Sequence, residues 1–275
     1  MTMTGEHRGR PRTWPTILLA VAIVGSLSGA GTYAWYQRET APPAGPATTS
    51  SPAPSDPTSV PSVDPQPVEP ALVLPNRDFE AGDKGPGVRI LQRILAGLDY
   101  DVGEIDGRFG GDTHHAVVAF QKVQGLGRDG VVGKATRKAL ADPVVPVPRH
   151  PNRRGTSIEV DLDRQVLYLL QEGDIGRIVD VSTGGGYSFV SRGVRKVAIT
   201  VTGEYEVYLQ YDGWYESSVG PMYKSSFYLR GFAIHGSKSV PPFPASHGCV
   251  RVTMSSIERL WPKLHLGTKV SVYRD

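Results

Sequence analysis

Hydrophobic and polar residues alternate along much of the second half of this 275-residue chain. The alternating runs cover residues 158–162, 166–170, 178–181, 197–201, 227–234 and 270–273. Because successive side chains of a strand point to opposite faces, each run predicts a short β-strand with a buried face. A single helix is expected in this half, over residues 254–261. Many short strands with few helical stretches predict an all-β sandwich or barrel over residues 154–275.

The preceding segment, residues 76–142, has helical spacing instead. Over residues 86–97, apolar side chains recur at intervals of three or four residues, at Val88, Leu91, Ile94 and Leu95. This spacing predicts an amphipathic helix. A repeat follows, in which Asp-Gly-x-x-Gly-x-x-Thr spans residues 106–113 and again residues 129–136. Each copy predicts a glycine-bearing turn that leads into a helix, so the segment is predicted to be a small three-helix bundle.

The histidines and the acidic turns of this segment do not predict a metal site. A calcium-binding loop around Asp106 would need oxygen ligands at positions where the chain has Gly103 and Ile105. His114 and His115 are adjacent on a predicted helix and point in different directions. The more distant histidines are expected to be isolated or satisfied by neighbours; they are His7, His150 and His265. No bound metal is therefore expected.

An uncharged stretch near the N-terminus is long enough to cross a membrane. Residues 16–36 contain no charged side chain, whereas residues 1–13 carry three arginines and one glutamate. A helix of that length reaches about 30 Å, the thickness of a bilayer's hydrocarbon core. We predict a single-pass transmembrane anchor over residues 14–36, with residues 1–13 in the cytoplasm and the rest of the chain outside. A cleaved signal peptide is the alternative, and it would also export the protein.

Two proline-rich segments predict linkers. Residues 41–75 hold 11 of the 23 prolines, interleaved with small residues, so residues 37–75 are predicted to be an extended tether. In a polyproline II conformation it would reach on the order of 100 Å. A second linker, residues 143–153, is predicted between two folded units.

The candidate chemistry centres on Cys249, the only cysteine in the chain. It ends the sequence Ser-His-Gly-Cys over residues 246–249, and His235 stands 14 residues upstream. A lone cysteine makes no internal disulfide, and a thiol with two nearby histidines is the equipment for covalent acyl transfer. A buried cysteine that acts as a small hydrophobe is the alternative. A net charge of +3 without a basic stripe excludes nucleic acid as the expected partner.

This arrangement resembles the signature of the L,D-transpeptidases of the YkuD family. That signature is an upstream His-Gly pair, here His235-Gly236, followed by Ser/Thr-His-Gly-Cys-x-Asn/Arg, here residues 246–251. The resemblance covers roughly residues 154–275 and implies the same all-β fold. Residues 85–141, with their paired turns, resemble the PGBD-type peptidoglycan-binding domain. The alternative for that segment is a spacer bundle without a ligand.

The resemblance implies a function at the cell wall. Cys249 would attack the third-residue carbonyl of a peptidoglycan tetrapeptide stem and expel the terminal D-alanine. The side-chain amine of a neighbouring stem would then take the acyl group, which gives a 3→3 cross-link. No metal or organic cofactor is needed for this chemistry. The expected partners are donor and acceptor stems and, through the N-terminal helix, the membrane.

The residues around the thiol have expected roles. His235 matches the family's general base. His247 is expected to orient the loop, and Ser246 to hydrogen-bond an imidazole and fix its tautomer. Gly248 would allow a tight turn in which its N–H and that of Cys249 face the oxyanion. Arg251 either recognises a substrate carboxylate or pairs with an acidic side chain, and the sequence favours neither.

Three further segments lie away from the signature in sequence. Residues 211–223 are a candidate substrate-covering flap or ordinary core, with the aromatic residues Tyr211, Trp214 and Tyr215. Residues 200–203 read Thr-Val-Thr-Gly where the family often has Thr-Pro-x-Gly, and this turn is remote from the thiol in sequence. Residues 183–186, Thr-Gly-Gly-Gly, lack the Lys-Ser/Thr of a phosphate loop, so a flexible turn is expected.

Rival classes fit these residues less well. A sortase places its histidine much further upstream and precedes its cysteine with Thr-Leu-x-Thr, whereas this chain has Pro-Ala-Ser-His over residues 244–247. A papain-like or NlpC-type hydrolase places its cysteine before its histidine. The alternatives that remain are an L,D-carboxypeptidase, which would hydrolyse the same acyl-enzyme, and a non-catalytic wall-binding protein.

Overall fold

The computed structural model describes residues 73–274. The predicted anchor over residues 14–36, the basic tail and most of the first linker lie outside the described residues. None of the helices within residues 73–274 has the length and hydrophobicity that a bilayer-spanning helix needs.

Three helices form the first part of the described chain, as the spacing predicts: α1 (Pro86–Gly97), α2 (Gly111–Val123) and α3 (Lys134–Ala141). Pro86 begins α1, where its fixed φ suits the helix and its missing N–H costs no hydrogen bond. We refer to residues 73–142 as the helical region.

The repeated turns wrap around two buried glutamines. The side chain of Gln92 donates to Asp106 Oδ1 and Thr113 Oγ1, both at 3.0 Å, and accepts the N–H of Gly107 at 2.8 Å. Gln121 makes the same contacts in the second copy, with Asp129, Thr136 and Gly130. Both glutamine side chains are buried and need partners. The repeat therefore supplies the hydrogen bonds of a buried amide.

Eleven strands and a short helix follow. The strands are β1 (Thr156–Asp161), β2 (Val166–Gln171), β3 (Asp174–Asp180), β4 (Ser188–Ser191), β5 (Val194–Val197), β6 (Gly203–Glu206), β7 (Leu209–Ser217), β8 (Gly220–Leu229), β9 (Phe232–Ser237), β10 (Val250–Thr253) and β11 (Lys269–Tyr273). Helix α4 (Met254–Leu260) and a 3₁₀ turn (Trp261–Lys263) come after β10. The predicted all-β character of this part is confirmed.

The strands form two main sheets. The first has the order β3-β2-β1-β11-β6 and the second β10-β9-β8-β7, while β4 and β5 form a separate hairpin. Only the pairs β1–β11 and β9–β10 are parallel among the named strands. The two sheets enclose a hydrophobic core to which both contribute; it includes Ile158, Leu167, Val179, Ile234, Val250 and Val270.

Two predicted strand runs are wrong in detail. The run over residues 197–201 ends as a strand at Val197, and the next strand starts at Gly203. The run over residues 227–234 is divided between β8 and β9 by a turn at Gly231, whose φ of +76° is in the left-handed region. Alternation alone does not show where a strand reverses direction.

The helical region and the strands share a second hydrophobic core. Strand β2 is buried on both faces, because Leu167 and Leu169 face the core between the sheets whereas Val166, Tyr168 and Leu170 pack with the helices. Residues 143–153 are predicted to link two folded units, and within the described residues helix α2 of the first part packs on β2 and β3 of the second.

Candidate active site

The parallel pair β9–β10 brings the signature residues to one face of the second sheet. Val250 pairs with Ile234, and Arg251 pairs with His235. Ile234, Val250 and their neighbour Val252 point into the core between the sheets. Because side chains alternate along a strand, His235 and Arg251 point to the opposite face, next to Cys249 at the start of β10.

These residues line a cavity of about 450 Å³. The cavity wall comes from β7, β8, β9 and the Ser-His-Gly-Cys loop, and it includes Trp214, Glu216, Met222, His235, Lys238, Ser246, His247, Cys249 and Arg251. The structure therefore brings together Cys249, His235, His247, Ser246 and Arg251, as the sequence predicts.

Cys249 is a partly exposed free thiol. Its Sγ lies 3.8 Å from Met222 Sδ and 3.6 Å from the carbonyl oxygen of Gly231. Burial raises the pKa of the thiol above its ordinary value. The protonated thiol is therefore the form at neutral pH, and nucleophilic attack needs a base.

His235 has the properties of that base. It is buried, and its Nδ1 lies 2.9 Å from the carbonyl oxygen of Gly236. Since a carbonyl only accepts, Nδ1 carries the proton and Nε2 has a free lone pair. Burial, with a smaller contribution from the charge of Arg251, lowers the pKa of His235 to about 4. The imidazole is neutral at neutral pH and can accept a proton.

Ser246 does not fix an imidazole tautomer, so that prediction is wrong. Its Oγ donates to the carbonyl oxygen of Cys249 at 2.6 Å and accepts the N–H of Gly248 at 3.0 Å. The hydroxyl thus closes the loop around the thiol. The tautomer of His235 is set instead by the backbone carbonyl of Gly236, because this oxygen accepts the proton on Nδ1.

The predicted oxyanion role of the Gly248 amide is also contradicted. Its N–H is used by Ser246 Oγ, so it is not free to bind an oxyanion. Glycine is nevertheless required here, because φ is +134° and a Cβ would lie 2.7 Å from the carbonyl oxygen of Ile199.

His247 and Arg251 lie two residues before and two residues after Cys249 in sequence and line the same cavity. The ring of His247 packs edge-on against Tyr187 at 5.5 Å and Phe189 at 4.6 Å between centroids, which anchors the loop to the β4–β5 hairpin. Burial, together with the charge of Arg251, lowers the pKa of His247. Arg251 Nη1 lies 3.5 Å from the carbonyl oxygen of Ala245, and within residues 73–274 no carboxylate pairs with its guanidinium.

A backbone platform, residues 182–185, supports the Ser-His-Gly-Cys loop. Ser182 exchanges two backbone hydrogen bonds of 3.0 Å with Arg251, and the Thr183 carbonyl accepts the amides of Ala245 and Ser246 at 2.9 and 2.8 Å. The amide of Gly185 donates to the carbonyl of Ser246 at 3.0 Å. The prediction of a flexible turn at residues 183–186 is therefore wrong, since its peptide groups are hydrogen-bonded to the loop and to residues 198 and 200.

Thr200 is a site residue that the sequence analysis missed. Its Oγ1 donates to the carbonyl oxygen of Gly248 at 2.7 Å and accepts the N–H of Gly184 at 2.9 Å. The turn at residues 200–203 is remote from Cys249 in sequence, yet it ties the platform to the thiol loop. The Thr-x-x-Gly pattern over residues 200–203 was the available signal.

The candidate flap is the β7–β8 hairpin, and its three aromatic residues have different positions. Trp214 lines the cavity, with Lys238 Nζ 5.7 Å from its ring. Tyr215 packs against Phe227 at 5.3 Å between centroids, and Tyr211 lies outside the cavity wall. Only Trp214 is therefore placed to contact a ligand in this cavity.

Comparison with known proteins agrees with this geometry. The family model of the L,D-transpeptidase catalytic domain, YkuD, matches residues 155–272, and that of a putative peptidoglycan binding domain matches residues 84–140. A crystal structure of an L,D-transpeptidase from Xylanimonas cellulosilytica is 40% identical and covers 71% of this chain and 97% of its own, with a TM-score of 0.68. The chain belongs to the L,D-transpeptidase family.

Two further relatives are less informative. An L,D-transpeptidase structure from Stackebrandtia nassauensis is 24% identical over 71% of this chain and 94% of its own, with a TM-score of 0.43. The N-acetylmuramoyl-L-alanine amidase CwlM of Mycobacterium tuberculosis is 39% identical over 62 residues. That match spans 22% of this chain and 15% of the amidase, so it is a local likeness.

Proposed function

We propose that the protein cross-links peptidoglycan as an L,D-transpeptidase, with Cys249 as nucleophile and His235 as general base. The observation that carries the proposal is that both side chains line one cavity while burial keeps the imidazole neutral. A neutral imidazole with a free Nε2 can take the thiol proton during attack.

The reaction follows in two halves. In the first, Sγ attacks the third-residue carbonyl of a tetrapeptide stem while His235 accepts the thiol proton. The tetrahedral intermediate then collapses to a thioester, and the departing D-alanine amine takes that proton from His235. In the second, a neighbouring stem's side-chain amine attacks the thioester and gives its proton to the departing thiolate through His235. The product is a 3→3 cross-link and the free thiol is restored.

Charge stabilisation comes from the loop and from Arg251. With the Gly248 amide engaged by Ser246, the Cys249 amide is the loop N–H that we assign to the developing oxyanion. Arg251 lines the cavity and has no carboxylate partner within the described residues. We assign it to the carboxylate of the departing D-alanine, since a guanidinium binds a carboxylate with two parallel hydrogen bonds.

The rest of the chain gives the reaction its location. The helical region is proposed to bind peptidoglycan, in line with the family model that matches residues 84–140. Residues 14–36 are proposed to anchor the protein in the cell membrane, with residues 37–75 as a tether that reaches the wall layer. The catalytic residues would then act on the extracytoplasmic side.

Acylation at Cys249 is tested with the exported part of the chain, residues 37–275. After incubation with meropenem, intact-mass measurement should show one covalent adduct. The Cys249→Ala variant should show none. An unmodified wild-type protein, or an adduct that survives in the variant, would contradict the assignment and favour the non-catalytic wall-binding alternative.

A second experiment separates transfer from hydrolysis. The protein is given a muropeptide with a tetrapeptide stem, and the products are identified by mass. A 3→3 dimer is expected. If only the tripeptide appears, water is the acceptor and the protein is an L,D-carboxypeptidase.

A further inference from the structure

Lys122, at the end of helix α2, is a buried cation that the proposed chemistry does not use. Its side chain is fully buried against the strands. The ammonium group donates to the carboxylate of Asp180, to the carbonyl of Gln165 at 3.0 Å and to the carbonyl of Val181 at 2.9 Å. All three of its N–H bonds are therefore used on backbone and carboxylate groups of the strand region.

These acceptors lead directly to the platform under the thiol loop. Val181 precedes Ser182, which exchanges backbone hydrogen bonds with Arg251. The side-chain amide of Gln165 makes two hydrogen bonds to Thr183. Its oxygen accepts the backbone N–H of Thr183 at 2.9 Å, and its nitrogen donates to Thr183 Oγ1 at 2.6 Å. Lys122 thus holds together Gln165, which is bonded to the platform residue Thr183, and residues 180–181, which lead into the platform.

Asp180 completes this contact. Its carboxylate is also buried and lies 2.6 Å from Nδ1 of His115, another residue of α2. Because any arrangement that separates the two groups leaves an uncompensated buried charge, the pair disfavours other arrangements of the elements that it joins. The paired groups belong to the helical region on one side and to the catalytic strands on the other.

We propose that Lys122, a residue of the wall-binding helical region, is a positioning residue of the acyl-transfer site. It acts through Asp180, Val181 and Gln165 on the platform that holds residues 246–249. The helical region would then complete the catalytic site in addition to binding the wall. This inference rests on the proposed function for its acylation measurement.

The test compares Lys122→Met with a matched variant, Arg259→Met. Arg259 also joins the two parts of the chain, through Asp101 at 2.7 and 2.8 Å and Asp112 at 3.1 Å, but it makes no bond to the platform. Each substitution leaves a buried carboxylate with one basic partner, which is His115 for Asp180 and Arg177 for Asp101. Arg259 is more exposed than Lys122, with 25% of its side chain accessible against 0%, so the free energy of unfolding of each variant is measured beside the reaction rates.

Two reactions of the single thiol are measured on residues 37–275 at a temperature where both variants are folded. For Lys122→Met, we expect acylation by meropenem to slow at least tenfold, while alkylation by iodoacetamide is as fast as in the wild type or faster. The reason is that acylation needs the positioned loop, whereas alkylation needs only access. For Arg259→Met, both rates should stay within twofold of the wild type.

Equal loss of acylation in both variants, or no loss in Lys122→Met, would overturn the positioning role. If Lys122→Met is unfolded, the double variant Lys122→Met/Asp180→Asn removes both buried charges and should show the same slow acylation. An unfolded double variant would also overturn the inference, because the contact would then serve stability alone. If wild-type Cys249 is not acylated, the proposed function fails. The positioning role of Lys122 is then judged by alkylation alone: faster alkylation in Lys122→Met than in Arg259→Met supports it, and equal rates contradict it.

Discussion

The hydroxyl of Thr200 donates to the carbonyl oxygen of Gly248 across 2.7 Å, although 48 residues separate them in the chain. The same oxygen atom of Thr200 accepts the amide of Gly184. One buried side chain thus joins the turn at residues 200–203, the platform and the thiol loop. The shape of the loop around Cys249 depends on contacts that come from outside its own sequence.

Replacement of Thr200 by valine should slow acylation of Cys249 by about tenfold and lower the free energy of unfolding by about 1–3 kcal/mol, because two buried polar groups lose their partner. Thr202→Val is the control, since this neighbouring threonine is exposed. Stopped-flow acylation and urea unfolding measure the two effects. Equal behaviour of the two variants would refute the role of the Thr200 hydroxyl.

Gly248→Ala should abolish most acylation activity and destabilise the fold by about 2–4 kcal/mol. The added methyl group meets the carbonyl oxygen of Ile199 at a backbone conformation that alanine rarely adopts. Gly186→Ala shares the positive φ, here +77°, but has no atom within 4 Å of the new Cβ. Gly186→Ala should keep the wild-type acylation rate and lose about 1 kcal/mol of stability. A comparable loss of activity in both variants would exclude the steric explanation.

The lowered pKa of His235 predicts activity well into the acid range. Because the imidazole stays neutral down to a pKa of about 4, the acylation rate should fall only as pH drops through about 4. If the base were an exposed histidine, the acylation rate would already fall near pH 6.5. The acylation rate of wild-type protein is measured between about pH 3 and pH 8, and a fall in rate near pH 6.5 would show that the base is not a buried imidazole.

The same burial makes stability depend on pH. Between about pH 6.5 and 4 the unfolded chain binds a proton at His235 that the folded chain does not. Protonation therefore favours the unfolded chain, and the free energy of unfolding decreases as pH falls through that window. The loss is on the order of 3 kcal/mol. In His235→Gln, the slope of unfolding free energy against pH should be smaller over this window than in the wild type.

Trp214→Ala should raise KM for the stem peptide several-fold with little change in kcat, because Trp214 lines the cavity, carries no group that takes part in acyl transfer and contributes uniform binding. Tyr211→Ala is the matched control: its side chain has a similar exposure, 45% against 43%, but it does not line the cavity. Steady-state kinetics on a tetrapeptide muropeptide distinguishes them. A kcat effect alone would argue for a role in flap motion.

The element types and the candidate chemistry can be predicted from the order of the residues alone. Spacing placed helix α1 at its observed bounds, and alternation identified the all-β character of the second half, because both patterns record which side chains must be buried. A single cysteine with His235 and His247 nearby was sufficient to locate the candidate active site, since these side chains carry their chemistry wherever they are placed.

How those side chains are held depends on contacts that form only in the folded chain. The parallel pairing of β9 with β10 puts His235 beside Arg251, and strand pairing between distant segments cannot be read from either one alone. Ser246 was assigned to an imidazole, whereas the fold offers it the backbone of its own loop. The roles of Thr200, residues 182–185 and Lys122 arise from hydrogen bonds between segments far apart in sequence. Local sequence does not encode such contacts, because packing of the whole chain determines which buried polar groups become neighbours.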